Sequence, residues 1–188
     1  MSSDLSWPSE ATLPTSRASS DVSCRRVNSA AERADHHAMR QRIFVDEQAI
    51  FTESDLDGHD RDGSALAING YCDGIAAGTV RLFVLDEAGG IWQGDRLAVL
   101  STYRLRGLGG PLVNAAVATA AVLGGTAMTA HIQPTNVRFF ERLGWSSRGG
   151  REIYAGLVHQ PMTIVLPDPG EASATLRRLA DGVNARDL

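Results

Sequence analysis

Three glycines and a proline stand in "YRLRGLGGPLVNAAVATAAVL", residues 103–123, directly before a run of small apolar residues. The run predicts a helix, and Pro111 suits its first turn, where a missing N–H costs nothing. The unpaired N–H groups and the dipole at a helix start favour an anion. Glycines let the preceding turn point successive N–H groups into one hollow. The stretch therefore predicts a site for a phosphate or pyrophosphate.

Two common phosphate-binding motifs are excluded. The Walker motif needs a lysine, and the chain contains none, while Leu112 stands where the dinucleotide fingerprint G-x-G-x-x-G needs its last glycine. What remains is R-x-x-G-x-G, formed by Arg104, Gly107 and Gly109, with Arg106 as a second positive charge. An ordinary connection between a strand and a helix has the same appearance, so the turn by itself leaves both interpretations open.

Composition limits the classes of partner. The chain has 188 residues, 43% of them hydrophobic, and a formal net charge of −4. One domain is expected, and no global positive field draws the protein to nucleic acid. Cys24 and Cys72 match no metal-ligand spacing, which predicts reduced thiols and no bound metal. No apolar stretch reaches the ~18 residues of a membrane span, and no secretory signal is visible, so we expect a cytoplasmic protein without a membrane partner.

The order of predicted elements indicates the fold class. Residues 1–22 are rich in Ser, Pro and Thr and predict a disordered tail. A domain follows over 23–167, with a helical extension over 168–188. Within the domain we expect a strand, a helix over about 30–42 capped by Ser29 and Glu32, a hairpin turning at Asp73-Gly74, and then strand, loop, helix, strand, helix and strands. This order predicts a mixed α/β sheet.

Three local expectations concern which residues are buried. The segment 55–63, "DLDGHDRDG", lacks the full calcium-loop spacing and predicts a solvated turn. We expect His36 and His37 on the surface of the first helix. Its buried stripe would consist of Ala31, Ala34, Ala38 and Ile43, and the second hairpin strand would bury one apolar face formed by Val80, Leu82 and Val84.

Two stretches carry a family resemblance. "RLAVLSTYRLRGLGGPLV" followed by "NVRFFERLGW" resembles the coenzyme-A-binding core of the GNAT acetyltransferase superfamily. The likeness covers residues 24–166 and is strongest over 95–145. "RQRIFVDEQ" and "GLVHQPM" are similar to a bacterial branch of small acetyltransferases, most of all the type encoded beside a nitrilase. The resemblance implies a mostly antiparallel GNAT-like sheet flanked by helices, with two splayed parallel strands at its centre.

The resemblance also implies how acetyl-CoA would bind, without a metal. The strand before the turn would pair with the pantetheine arm, the turn would bind the pyrophosphate, and the following helix would line the opposite wall. By this likeness the coenzyme contacts are Leu97, Ala98, Val99, Arg104, Leu105, Arg106, Gly107, Leu108, Gly109, Gly110, Asn136 and Phe140.

The chain departs from the family at the two residues that handle protons. Many members carry a Tyr that protonates the leaving thiolate, where this chain has Phe139-Phe140. In this chain the proton would come from Tyr154 or from water, or the thiolate would leave without direct protonation. The family's Glu base corresponds to Gln93, which cannot accept the proton. Asp95 lies on the same face two residues on, although a role as a surface carboxylate or as a partner of Arg96 is equally compatible.

Three further side chains are candidates for proton transfer. Glu47, in "FVDEQ", would border the acceptor pocket or form an ordinary salt bridge. His131 ends the strand expected to splay and would face the slot, and His159 lies in the "GLVHQPM" turn. Each histidine could equally make a structural hydrogen bond. The catalytic residues that we predict are Asp95, Glu47 and His131.

Three functions are compatible with these residues. The first is an acetyl-CoA-dependent N-acyltransferase in which a small-molecule amine attacks the thioester directly. The second is an acyltransferase of the acyl-homoserine-lactone-synthase kind, suggested by "RIFVDEQ". The third is a non-catalytic acyl-CoA sensor or scaffold. A homodimer is compatible with the sequence.

Overall fold

The computed structural model describes residues 21–184. The predicted tail therefore lies almost wholly outside the described residues, except that Asp21 and Val22 already belong to the first strand, β1 (Asp21–Arg26). The remaining strands are β2 (Leu66–Cys72), β3 (Ile75–Asp86), β4 (Ile91–Val99), β5 (Ala127–Ile132), β6 (Ser146–Ser147), β7 (Glu152–Tyr154), β8 (Leu157–Val165) and β9 (Val183–Asn184). The α-helices are α1 (Ala30–Arg40), α2 (Gly58–Asp62), α3 (Gly109–Val122), α4 (Val137–Arg142) and α5 (Pro169–Asp181).

The strands form one mixed sheet in the order β6-β8-β5-β4-β3-β2-β1-β9, and β7 pairs with β8. Every pairing is antiparallel except that of β4 with β5. The fold class expected from the order of elements and from the resemblance is confirmed. The sequence had not indicated β7 or β9, which are only three and two residues long.

One face of the sheet carries the apolar core. Helix α3 is apolar on all sides and is buried because it lies between the sheet and α5. Helix α3 and the residue before it pack closely on the sheet. Leu108 is fully buried, and a Cβ added to Gly70 of β2 or Gly78 of β3 would lie only 2.9 Å from a leucine side-chain carbon. Within the predicted C-terminal extension, Pro169–Asp181 forms α5, which buries Leu179 against this core, whereas Val183–Asn184 forms the strand β9.

The opposite face of the sheet is polar but also buried. On β3, Thr79, Arg81 and Phe83 are as buried as Val80 and Leu82, because α1 and the segment leading to α2 cover them. The predicted apolar face is confirmed at Val80 and Leu82, which lie in the core, but was wrong at Val84, which is 44% exposed near the strand end.

Helix α1 begins as predicted but turns a different face inward. Ser29 and Glu32 form the predicted capping box. The expected stripe was wrong: Ala31, Ala34 and Ala38 are exposed, whereas His36, Met39 and Arg40 are buried, together with Ile43. The reason is the polar surface beneath the helix, where the His36 ring meets the side chain of Asn69 at 2.8 Å. The surface position predicted for His36 was therefore also wrong, and His37 is half-buried.

The segment after α1 continues as a π-helical turn, Gln41–Glu47, a rare geometry that is frequent at functional sites. It is followed by the segment predicted to be a solvated turn, which was also wrong in part: Asp55 is only 2% exposed, and residues 58–62 form α2. The carboxylates of Asp55 and Asp60 are buried because they bind arginines of α1 and β3.

Candidate functional site

The parallel strands β4 and β5 separate halfway along their length. They are paired only from Ile91 opposite Ala127 to Gln93 opposite Thr129. Beyond Gln93, β4 is paired with β3 on one edge, and its other edge has no strand partner within residues 21–184. A free strand edge of this kind offers N–H and C=O groups to an extended ligand that carries amides. Leu97, Ala98 and Val99, predicted to contact the coenzyme, lie on this part of β4.

A β-bulge bends β4 where the strands separate. Arg81 lies opposite Asp95 and Thr79 opposite Ala98, so that β4 carries one extra residue between these pairs. Arg96 takes a left-handed conformation there, with φ of +51°, and its carbonyl oxygen accepts a hydrogen bond of 2.9 Å from the Thr79 hydroxyl. The bulge was not predicted, because nothing in "GDRLAV" distinguishes it from a regular strand.

A cavity of about 170 Å³ occupies the gap between the strands. Its walls come from β4 (residues 94–97), from Val113 and Ala116 of α3, and from the end of β5 (residues 130–132). Asn136 and Phe140, both predicted contacts, line it from the α4 side. The remaining lining residues come from three places. Phe44, Gln48 and Phe51 belong to the π-helical turn and the segment after it, Trp145 lies beside α4, and Tyr154 and His159 belong to β7 and β8.

The glycine-rich turn lies between β4 and α3, as predicted. Residues Ser101–Arg106 form a 3₁₀ turn, Gly107 follows with φ of +79°, and α3 begins at Gly109. No side chain caps the first N–H groups of α3. A Cβ at Gly109 would lie 3.3 Å from the Phe139 ring, so a larger residue would crowd this turn. An uncapped helix start of this kind can bind an anion.

The side chains of this turn differ in what they can contribute. Leu108 is fully buried, so that only its backbone can reach a ligand, whereas Leu105 is fully exposed. Arg104 and Arg106 are partly exposed at the surface, where they pair with Glu47 and Asp73. Both arginines can therefore turn towards a phosphate at little cost, because exposed ion pairs are weak.

The three predicted catalytic residues have different surroundings. Asp95 binds Arg81 through both carboxylate oxygens, at 2.8 and 2.6 Å, and also Arg96 at 3.4 Å. Glu47 pairs with Arg104 at the surface. Asp95 lines the cavity, and Glu47 does not. The carboxylates are thus both engaged by arginines.

His131 lies at the end of β5 and lines the cavity. Its Nε2 lies 2.8 Å from a carboxylate oxygen of Glu152, and its ring is stacked on that of Tyr154, with the centroids 3.9 Å apart. A carboxylate only accepts, so Nε2 carries the proton and Nδ1 keeps a free electron pair in the neutral ring. Nδ1 is buried and has no hydrogen-bond partner among the described residues.

Two other predicted residues line the same cavity. Tyr154 accepts a long hydrogen bond of 3.4 Å from the Gln93 amide. His159 was placed in a turn by the sequence but lies in β8, where its Nδ1 donates to the carbonyl oxygen of Leu157 at 2.9 Å. The structure therefore brings Tyr154, His131 and His159 together at the cavity, with Gln93 bonded to Tyr154.

A buried network of arginines and aspartates borders the cavity, and it was not predicted from the sequence. Arg40 and Arg81 are almost fully buried and bind the carboxylates that precede and begin α2. Burial alone would lower the pKa of Arg81, but its hydrogen bonds to Asp95 and Asp57 hold it above the ordinary value. The only sequence signal was the density of aspartates over 55–62, opposite arginines that stand far away in the chain.

Two possible features are absent from the part of the chain that the structure describes. Within residues 21–184 no helix has the length and apolar character needed to span a membrane. Over the same range no three His, Cys, Asp or Glu side chains come together as metal ligands would. Cys24 and Cys72 are buried free thiols.

Three known proteins resemble this chain. A Bacillus subtilis (strain 168) protein, provisionally an acetyltransferase, is 25% identical over 143 residues, which cover 76% of this chain and 95% of its own. The crystal structure of a protein from Lactobacillus plantarum, provisionally an N-acetyltransferase, is 27% identical with a TM-score of 0.69 and covers 78% of this chain and 99% of its own. BjaI, a CoA-dependent acyl-homoserine lactone synthase, shares the fold at 16% identity and a TM-score of 0.62, over 85% of this chain and 88% of its own.

The profile of the acetyltransferase (GNAT) family matches residues 27–145. This range contains the bulged strand β4, the glycine-rich turn and α4, and β4 and α4 both contribute residues to the cavity wall. The match spans more than half of the chain, and it agrees with the fold and with the relatives above. The chain belongs to the acetyltransferase (GNAT) family.

Proposed function

We propose that the protein is an acetyl-CoA-dependent N-acyltransferase that moves the acetyl group directly to a small amine. The observation that carries this proposal is the free edge of β4, which runs from the cavity towards the uncapped start of α3. An extended pantetheine arm can pair with that edge while its diphosphate lies against the turn at residues 107–110. The thioester then lies in the cavity between β4 and β5.

Direct transfer needs an oxyanion donor and a base. The unpaired N–H groups of β4 are fixed in position before the substrate arrives and can stabilise the tetrahedral oxyanion. For the base we propose His131, because Glu152 orients its ring and leaves the Nδ1 electron pair without a protein partner. Asp95 is a weaker candidate, since two arginines already occupy its oxygens. The likeness to the nitrilase-associated type remains a prediction.

Two measurements test this function. Calorimetric titration with acetyl-CoA should show binding, and release of free thiol should appear when a suitable amine from a panel is added. Tight binding of acetyl-CoA without thiol release from any amine would instead favour the sensor hypothesis. Absence of binding would contradict the proposed function altogether.

The turn has its own matched pair of variants. Gly109→Val adds a branched side chain where even a Cβ lies 3.3 Å from Phe139, so it should abolish acetyl-CoA binding. Gly150→Val makes the same change at an exposed glycine with open space around its Cβ, and it should bind like the wild type. Equal affinity in both variants would show that the turn does not bind the coenzyme.

A further inference from the structure

Trp145 presents an unsatisfied hydrogen-bond donor beside the cavity. The residue lies three positions after the end of α4. Its backbone N–H donates to the carbonyl oxygen of Phe140 at 3.1 Å, and its ring meets that of Phe140 edge to face, with the centroids 5.4 Å apart. The side chain is 4% exposed, and its Nε1–H has no hydrogen-bond partner among residues 21–184. Leaving a buried N–H unpaired is unfavourable, so a ligand that supplies an acceptor there is bound more tightly.

Among residues 21–184, two of the buried unpaired side-chain atoms belong to residues that line the cavity. These are Nε1 of Trp145 and Nδ1 of His131. One is a donor only, and the other is an acceptor in the neutral ring. Transfer of an acyl group from a thioester to an amine is assisted by one group of each kind, an acceptor for the amine proton and a donor for the departing sulfur.

The two atoms also lie on different walls. His131 is stacked on Tyr154 and bound to Glu152 of β7, whereas Trp145 packs against Phe140 of α4. Two other donors of the cavity are engaged or lie on the opposite wall. Arg96 binds three aspartates, and Tyr154 lies with Gln93 on the His131 side. On the α4 wall, Asn136 also carries an amide donor but is exposed, so Trp145 supplies the buried donor that has no partner among residues 21–184.

We propose that the Trp145 Nε1–H donates a hydrogen bond to the sulfur of bound coenzyme A and stabilises it as the thiolate departs. This inference rests on the proposed function and adds a catalytic residue to it. The amine nitrogen forms the new bond to the carbonyl carbon, and the C–S bond breaks with its electron pair remaining on sulfur. The amine proton passes to His131 Nδ1. An indole N–H donates without releasing its proton, so the coenzyme leaves as the thiolate and is protonated by solvent.

The test compares coenzyme A with desulfo-coenzyme A, which lacks only the thiol, by calorimetry at pH 9. At this pH an ordinary thiol is largely ionised, since its pKa is about 8.5. The wild type should bind coenzyme A about tenfold or more tightly than the desulfo analogue, the range for a hydrogen bond to a charged group. In Trp145→Phe this preference should fall to about one, with kcat lowered about tenfold or more and little change in acetyl-CoA affinity.

Trp92→Phe is the matched control. It removes the same N–H from a tryptophan that is equally buried, at 7% exposure, but does not line the cavity. This variant should keep the wild-type preference for coenzyme A. Thermal unfolding of both variants separates a loss of the donor from a loss of the fold. If Trp145→Phe does not fold, replacement of Trp145 by benzothienylalanine keeps the bicyclic ring, removes only the N–H, and is measured in the same way.

The outcomes separate the two proposals. A wild type that binds both compounds equally, or a folded Trp145 variant that keeps the preference and the wild-type kcat, overturns the role of Trp145 while leaving N-acyltransfer intact. A preference lost in Tyr154→Phe but kept in Trp145→Phe moves the donor to the other wall and overturns it as well. A wild type that binds neither compound contradicts the proposed function and, with it, this inference.

Discussion

Arg81 and Asp95 face each other across β3 and β4 in a two-point ion pair, with the Nε–Oδ1 and Nη2–Oδ2 distances at 2.8 and 2.6 Å. The Arg81 side chain is 1% exposed and also binds Asp57 and Asp60 at the start of α2. The pair therefore fixes the polar face of the sheet beside the cavity. The ion pair also engages both oxygens of Asp95, the carboxylate predicted from the sequence as a possible base.

We expect Asp95→Asn to act on stability before chemistry. An amide cannot replace the two-point contact, and breaking a buried ion pair from one side costs about 3–5 kcal/mol. Urea unfolding should show a loss of this order, and the acidic limb of the pH profile of kcat/KM should persist. Asp35→Asn, at an exposed position of α1, should change neither quantity. Loss of the acidic limb at unchanged stability would identify Asp95 as the base.

Acid should weaken the network through Asp60. Burial alone would raise the pKa of Asp60, but the hydrogen bond and charge of Arg40, together with the charge of Arg81, lower it below its ordinary value. The ionised form is therefore favoured in the folded state. Its contribution is complete above the unfolded pKa of about 3.9 and is lost as the pH falls below that value. Between pH 4 and pH 3, the stability of Asp60→Asn should depend less on pH than that of the wild type.

The contrast between prediction and structure follows from the range of the interactions. The capping box at Ser29, the turn at Asp73-Gly74 and the start of α3 depend on residues within a few positions, and their patterns were sufficient. Arg40 and Asp55 are 15 residues apart, and Arg96 and Asp55 are 41 apart. Their pairing depends on how α1 and α2 lie on the sheet, and no local pattern in the sequence carries that information.

The same reasoning applies to the candidate site. The sequence indicated the strand, the turn and His131, because each is tied to a strand end or a helix start. It did not indicate that Glu152 would meet His131, since β7 is short and carries no strong strand pattern. It also gave no reason to single out Trp145, whose donor is left free only by the packing around α4.

A second pH window should come from His36. Burial, the largest cause, lowers the pKa of this histidine to about 4, while its contact with Asn69 opposes the shift. The neutral ring is favoured in the folded state, so stability falls as the pH drops from about 6.5, the unfolded value, to about 4. A shift of this size corresponds to a loss on the order of 3 kcal/mol. Urea unfolding at pH 7, 6, 5 and 4 measures it.

His36→Gln separates this window from that of the aspartates. A glutamine amide can still donate to the Asn69 oxygen but does not titrate, so the slope between pH 6.5 and pH 4 should flatten while the slope below pH 4 remains. Asp60→Asn should show the reverse pattern. An unchanged slope above pH 4 in His36→Gln would assign that window to another group.

The base on β5 should be visible in steady-state kinetics. Removing a general base costs typically 10²–10⁴-fold in rate, so His131→Gln should lower kcat by about this factor while the affinity for acetyl-CoA stays unchanged. Glu152→Gln keeps a side chain that can accept from Nε2 but removes the charge, so it should lower kcat by a smaller factor than His131→Gln does.

His159→Gln is the comparison that decides between the two histidines of the cavity. Its Nδ1 donates to the Leu157 carbonyl oxygen, so its Nε2, like Nδ1 of His131, keeps an electron pair in the neutral ring. What distinguishes His131 is the Glu152 carboxylate, which stabilises the ring once it has taken the amine proton, whereas His159 has only a backbone carbonyl. A larger loss of kcat in His159→Gln than in His131→Gln would move the base from β5 to β8.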